Sequence, residues 1–129
     1  MAESFEVSTI IPATPKQVYD AWLNGKTHGL MTGGEATGRA VKGAKFTAWD
    51  GYISGKNLEL EPDRRIVQAW RTTEFSPDDP DSQLEVLLEE APGGTKVTLR
   101  HSSIPQGQTG YKQGWKDHYF TPMKQYFAG

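Results

Sequence analysis

The chain opens on a period of two. Between Ser4 and Ile10, Phe5, Val7 and Thr9 alternate with Glu6 and Ser8, which predicts a strand with one dry face. Pro12 breaks the run. Thr14 then offers an N-cap hydroxyl, Pro15 suits the first helical position, and Gln17 completes a capping box. Val18, Ala21 and Trp22 fall at helical spacing, so an amphipathic helix is predicted over 15–23, stopped by Asn24 and Gly25. Residues 28–34 predict a short helical turn that ends at Gly33-Gly34.

From Glu35 onward the period returns to two. "AKFTAWDGYI" reads as two strands joined by Asp50-Gly51, a strong signal for a tight hairpin. In "NLELEPDRRIVQAWRT", Leu58 and Leu60 face one way and Glu59 and Glu61 the other; Pro62-Asp63 turns the chain and 66–73 runs back. Leu84, Val86 and Leu88 alternate with Glu85 and Glu89, Pro92-Gly93-Gly94 makes the next turn, and Val97, Leu99 and His101 alternate with Thr98 and Arg100. The expected order is one strand, two short helices, six further antiparallel strands and one long helix. Each strand has one apolar face, so the sheet needs a cover on one side only.

The last helix is the only long element available as that cover. "GWKDHYFTPMKQYF", residues 114–127, holds five aromatic residues. Tyr111, Trp115, Tyr119, Pro122 with Met123, and Tyr126 form one predicted helical stripe, with Lys112, Lys116, Asp117, Lys124 and Gln125 turned away. Pro122 removes a backbone hydrogen bond and is expected to bend the helix over a curved sheet.

Composition narrows the function classes. A chain of 129 residues has the usual size of one domain, and 1–129 reads as a single one, without repeat or linker. It has no cysteine, which removes disulfides and thiolate metal sites and suits the reducing cytoplasm. The first residues lack the pattern of a signal peptide, and no window predicts membrane insertion. The net charge is −2 and the basic residues are scattered, so no nucleic-acid partner is expected. Asp78, Asp79 and Asp81, interleaved with Pro77 and Pro80, read as a solvated loop tip.

Motifs for chemistry are sparse. His28, His101 and His118 do not fall at metal-ligand spacing, so no metal and no cofactor are expected. "GRAVKGAK" has the glycine spacing of a phosphate loop, but Ala44 stands where its lysine is needed. There is no nucleophile elbow and no nucleophile-plus-base pair at local spacing, so no catalytic residue is assigned. Pairs assembled in three dimensions, such as His101 with Asp50 or Tyr119, stay open.

"IPATPKQVYDAW", "GYISGKNLELEPDRRIVQAWR" and "GWKDHYFTPMKQYF", in that order, resemble the SRPBCC superfamily over nearly the whole chain. They resemble in particular its branch related to the C-terminal domain of the activator of the ninety-kilodalton heat-shock chaperone ATPase. The resemblance implies an α+β, START-like helix-grip fold. A curved antiparallel sheet of about seven strands wraps a long C-terminal helix, with two short helices after the first strand. It also implies an apolar cavity between sheet and helix, and members that bind lipids, steroids, polyketides or hormones, some of them cyclases. The fold hosts many functions, so it does not select among them.

Three readings follow. The first is a binding protein for a small, mostly apolar ligand. Its expected lining comprises Met31, Phe46, Ala48 and Trp70, then Val86, Leu88 and Leu99, and on the helix Trp115, Tyr119 and Met123. Gln68 and His101, in phase with apolar neighbours, would supply polar contacts, and the turn over 28–34 would be a gate. Arg71 is expected on the wet face and Trp49 on the outer surface or at a rim. The second reading is a chaperone-associated interaction module, and the third a cyclase-like enzyme using His101 as acid or base. The chain is expected to be a monomer or a weak homodimer.

Overall fold

The computed structural model describes residues 3–105, 107 and 110–128. Strand β1 (Glu3–Ile11) leads into helices α1 (Pro15–Leu23) and α2 (Gly25–Thr32). Five strands follow: β2 (Lys45–Ala48), β3 (Ile53–Glu61), β4 (Arg65–Thr72), β5 (Ser82–Ala91) and β6 (Gly94–Ile104). The C-terminal helix comprises α3 (Tyr111–Trp115), a π-helical turn (Lys116–Phe120) and α4 (Thr121–Ala128). The result is an α+β fold, one antiparallel sheet in the order β1-β6-β5-β4-β3-β2 with the C-terminal helix across its apolar face.

The capping chemistry of α1 is as the sequence predicts. Thr14 Oγ1 accepts from Gln17 N at 3.1 Å, and Gln17 Oε1 accepts from Thr14 N at 2.8 Å. Asn24 ends α1 and also caps α2, its Oδ1 accepting from Thr27 N at 3.2 Å.

Strand register explains the core. Residues directly opposite in an antiparallel ladder share a face. One row runs Val7–Leu99–Val86–Ile66–Leu60 across five strands, and a second runs Phe5–His101–Leu84–Gln68–Asn57. A third runs Ser82–Trp70–Gly55–Phe46. The opposite face carries ion pairs in place of apolar contacts: Arg100 with Glu6 at 2.7 Å, and Arg65 with Glu85 at 2.6 Å and Glu61 at 3.2 Å.

Four expectations need correction. The sheet has six strands, not seven, because "GYI" and "NLELE" are one strand, β3, continuous through Gly55. A Cβ on Gly55 would stand 1.9 Å from the Ala69 carbonyl oxygen and 2.7 Å from the Phe46 ring, so only glycine lets β3 pass there. A bulge between Asn57 and Glu59 then shifts the register, so Leu60 packs on the core while Leu58 has no cross-strand partner. The Asp50-Gly51 hairpin is wider than two residues: Ala48 pairs with Ile53, and Trp49, Asp50 and Gly51 all take positive φ (52°, 59° and 91°).

The fourth concerns the last helix. Its inward stripe is Trp115, Tyr119, Met123 and the half-buried Phe127, while Tyr126 is 40% exposed. Four-residue steps drift by about 40° each on an α-helix. The wider π turn, where Thr121 N–H reaches back to the Lys116 carbonyl, absorbs that drift and keeps the stripe facing the sheet. Pro122 follows directly, where the i→i−4 ladder is already interrupted, so its missing N–H falls at an existing irregularity.

Among the described residues, no helix is long and apolar enough to cross a membrane.

Candidate functional site

A cleft of about 770 Å³ opens between one end of the sheet and the C-terminal helix. Its floor is aromatic: Trp70 from β4 with Trp115 and Tyr119 from the helix. The Trp70 and Trp115 ring centres are 5.4 Å apart, and those of Trp115 and Tyr119 4.7 Å. The β2–β3 connection contributes Trp49 and Tyr52, and the loop after β4 contributes Glu74. On the helix side Tyr111 and His118 alternate with Gly107, Gly110 and Gly114. A Cβ built on any of these three glycines meets no atom within 4 Å, so nothing crowds the helix side of the cleft at these positions.

A polar network edges the mouth. Tyr52 donates its phenolic hydrogen bond to Glu74, and the Tyr111 and Thr72 hydroxyls lie 2.7 Å apart. Burial, and then the bond to Glu74, push the Tyr52 hydroxyl well above its ordinary pKa; burial also raises that of Tyr111. The phenols therefore act as neutral donors and acceptors. Phe75, in the loop after β4, is buried against Trp70 and Tyr111, with ring centres 6.3 and 6.2 Å away. Arg71 fastens that loop from outside, bonding the Ser76 and Asp79 carbonyls and Asp81.

Two buried histidines stand behind the aromatic floor, and their tautomers follow from their partners. The Ser82 hydroxyl has one proton and donates it to the Trp70 carbonyl at 2.6 Å. His101 Nε2, 2.8 Å from that oxygen, is therefore the donor, while Nδ1 accepts from the Trp115 indole at 3.1 Å. Both nitrogens are used, the ring is fully buried, and burial lowers its pKa to about 3. His28 is the opposite tautomer: Nδ1 donates to the Trp22 carbonyl at 2.8 Å and Nε2 accepts from the Tyr119 hydroxyl at 2.7 Å. Burial lowers the His28 pKa and raises that of Tyr119. The Trp49 indole N–H is buried without a hydrogen bond of good geometry, although it lies near enough to the Tyr119 hydroxyl to oppose that rise.

Of the residues expected to line a cavity, Trp70, Trp115 and Tyr119 border this cleft. Phe46 and Gln68 border instead a buried pocket of about 10 Å³ beside Trp22 and Asn57, room for one water. The Gln68 amide is committed there: it accepts from the Trp22 indole at 3.3 Å and donates to Asn57 Oδ1 at 2.9 Å. Met31, Ala48, Val86, Leu88, Leu99 and Met123 pack in the central core, and His101 is walled off from the cleft by Trp70 and Trp115 contacts. The turn over 28–34, expected as a gate, does not border the cleft. Trp49, expected on the outer surface or at a rim, lines it, half-buried, on a left-handed stretch of backbone. Tyr52, Glu74, Tyr111, His118 and the three glycines were not among the expected lining. The glycine spacing along "GYKQGW" was the one available signal. Among the described residues no cluster of three or more metal-ligating side chains occurs.

Comparison with known proteins places this geometry. The human activator of 90 kDa heat shock protein ATPase homolog 1 is 28% identical over 116 residues. That match takes in 89% of this chain but only 34% of the human protein, so the chain spans about a third of that relative's length. A crystal structure of an HSP90 activator from Plasmodium falciparum superposes with a TM-score of 0.86 at 22% identity, covering 97% of this chain and 96% of that one. CalU16 from Micromonospora echinospora gives 0.80 at 25% identity, over 99% of this chain and 76% of that one. A family model matches residues 12–128, and the chain belongs to the family it describes, the activator of Hsp90 ATPase homolog 1-like proteins, with an SRPBCC-type fold.

Proposed function

We propose that this chain binds a small, mostly apolar molecule, of the lipid, polyketide, steroid or aromatic kind, in the cleft between sheet and C-terminal helix. The observation that carries the reading is the cleft itself: about 770 Å³, floored by Trp70, Trp115 and Tyr119. Ligand sites occupy roughly 300–1,000 Å³ and combine apolar walls with a few polar groups, here at the mouth. Most of the twelve residues first expected to line a cavity serve as its packed support. His101 has no part in acid–base chemistry in this reading, since it is fully buried and does not border the cleft.

The test uses nitrogen-15-labelled protein and pools of lipids, steroids, flavonoids and acyl compounds. Binding in the cleft shifts the indole signals of Trp49, Trp70 and Trp115 before that of Trp22, which lies behind Tyr119. A screen in which no pool moves the three cleft indoles sinks the reading.

A second reading is favoured by the family and by the names of its relatives: a module that contacts a heat-shock chaperone. The chain covers only a third of the human relative, so the activity of that whole protein is not carried over. Titration of purified 90 kDa chaperone into the labelled protein decides it. Broadening confined to one surface supports contact, and an unchanged spectrum removes it.

A further inference from the structure

The charges around the cleft narrow its ligand, on the premise that the cleft is a binding site. Glu74 is the only Asp, Glu, Lys or Arg among the described residues that line it. The residues that stand in sequence between Pro105 and Gly110 carry no charge either. Lys112 and Lys116 are exposed and do not line the cleft, and Arg71 is committed to Asp81 and the loop carbonyls. Around Glu74 stand the π systems of Tyr52 and Tyr111 at the mouth, with Trp49 and His118 beyond.

We propose that the cleft selects a flat aromatic ligand bearing a protonated amine, its rings on the Trp70–Trp115–Tyr119 floor and its ammonium at the mouth beside Glu74 and the tyrosine rings. Both components of the mouth act in the same direction. A carboxylate offers several lone-pair positions for charge-assisted hydrogen bonds, of which Tyr52 occupies one. Ring faces attract cations and repel anions. A fatty acid entering tail first would leave its carboxylate at the mouth beside Glu74, with no Lys or Arg among the described lining residues to receive it, and desolvating an unpaired charge is costly. The planar walls stack on planar rings at spacings of about 4.5–7 Å and suit them better than flexible chains.

The experiment compares three probes with one ring system: 2-naphthylmethylamine, 2-naphthylmethanol and 2-naphthoate. Each is titrated into the labelled protein at pH 7.5, at low and high salt. The amine is expected to bind about tenfold tighter than the alcohol, the range of one charge-assisted hydrogen bond. That advantage should shrink with salt, and naphthoate should bind weakest. In Glu74→Gln the amine-to-alcohol ratio falls toward one. Glu74 is exposed and a glutamine carbonyl still accepts from Tyr52, so folding is not at risk; thermal melting checks it. Equal binding of amine and alcohol, or tightest binding of naphthoate, overturns the charge preference and leaves ligand binding standing. A blank with all three probes overturns the proposal, and a blank in the wider screen as well overturns the ligand reading itself.

Discussion

Replacing His101 by glutamine tests the account of the buried polar core. In the folded protein the ring donates to Ser82 and accepts from the Trp115 indole, and its centre lies 4.6 Å edge-on from that of Trp70. Glutamine can remake one of the two bonds. The other leaves a buried polar atom unpartnered, at about 1–3 kcal/mol, and the lost ring volume adds about 1–2 kcal/mol. At about 3–5 °C per kcal/mol for a chain of this size, the melting point should fall by about 6–25 °C at pH 7. The pH dependence is the sharper readout. The folded pKa, about 3, lies below the ordinary imidazole value of about 6.5. Between those values the unfolded chain binds the extra proton, so the wild type loses stability as pH falls through that window. From pH 7 to pH 5 the loss from this one group is about 2 kcal/mol, by linkage. Glutamine does not titrate, whereas His28, also depressed by burial, contributes to both proteins. Urea unfolding at pH 5, 6 and 7 should therefore show the gap between wild type and His101→Gln narrowing by about 2 kcal/mol. Parallel curves would refute the claim that burial holds His101 neutral.

Three further substitutions probe the same frame. Gly55→Ala should cost at least ~3 kcal/mol, or prevent soluble folding, because its Cβ meets the Ala69 carbonyl at 1.9 Å; a variant that melts like wild type contradicts the crossing of Phe46 over β3. Gly114→Ala should raise stability by about 0.5–1 kcal/mol, the ordinary helical gain over glycine, since no atom lies within 4 Å of the new methyl. The same methyl enters the cleft, so affinity for 2-naphthylmethanol should drop in the same protein. Trp49→Phe removes a buried N–H that has no well-formed bond; stability should stay level or rise by up to about 1 kcal/mol, and a clear loss in chemical denaturation would show that the indole N–H is bonded after all.

The fold was legible where the signal is local or strictly periodic. The capping box at Thr14–Gln17 and the alternation in β5 and β6 each follow from a few neighbouring residues, and each appears at its expected place. What the sequence concealed depends on partners distant in the chain. Gly55 falls between two expected strands, and only Phe46 and Ala69, distant in the chain, show why a glycine stands there. Trp49 falls on the outer phase of its strand, and only the left-handed turn of Trp49-Asp50-Gly51 reverses that phase. Apolar phase identifies which residues face inward, but core and cleft wall share that phase. That is why Val86, Leu99 and Met123, fully buried, stood on the expected lining beside Trp70. Glu74 lies in a loop with no periodicity to expose it.

The cleft depends on the helix more than on the sheet. A regular α-helix from Tyr111 onward would carry Met123 and Phe127 progressively around its axis, away from Trp115, and Tyr126 toward the sheet. The π turn over Lys116–Phe120 restores the phase, so that Trp115, Tyr119 and Met123 stay buried along one face. Toward the start of that helix, Gly110 and Gly114 withhold the side chains that would otherwise fill the space opposite Trp70. Glycines and a π turn both weaken a helix; the π turn keeps the stripe on the sheet, whereas Gly110 and Gly114 add nothing to that cover. The helix lies against a core that Ile66, Val86 and Leu99 already make continuous, which allows its first turns to be poor in packing. The glycines fall where the open volume is, the arrangement that the proposed ligand site would call for.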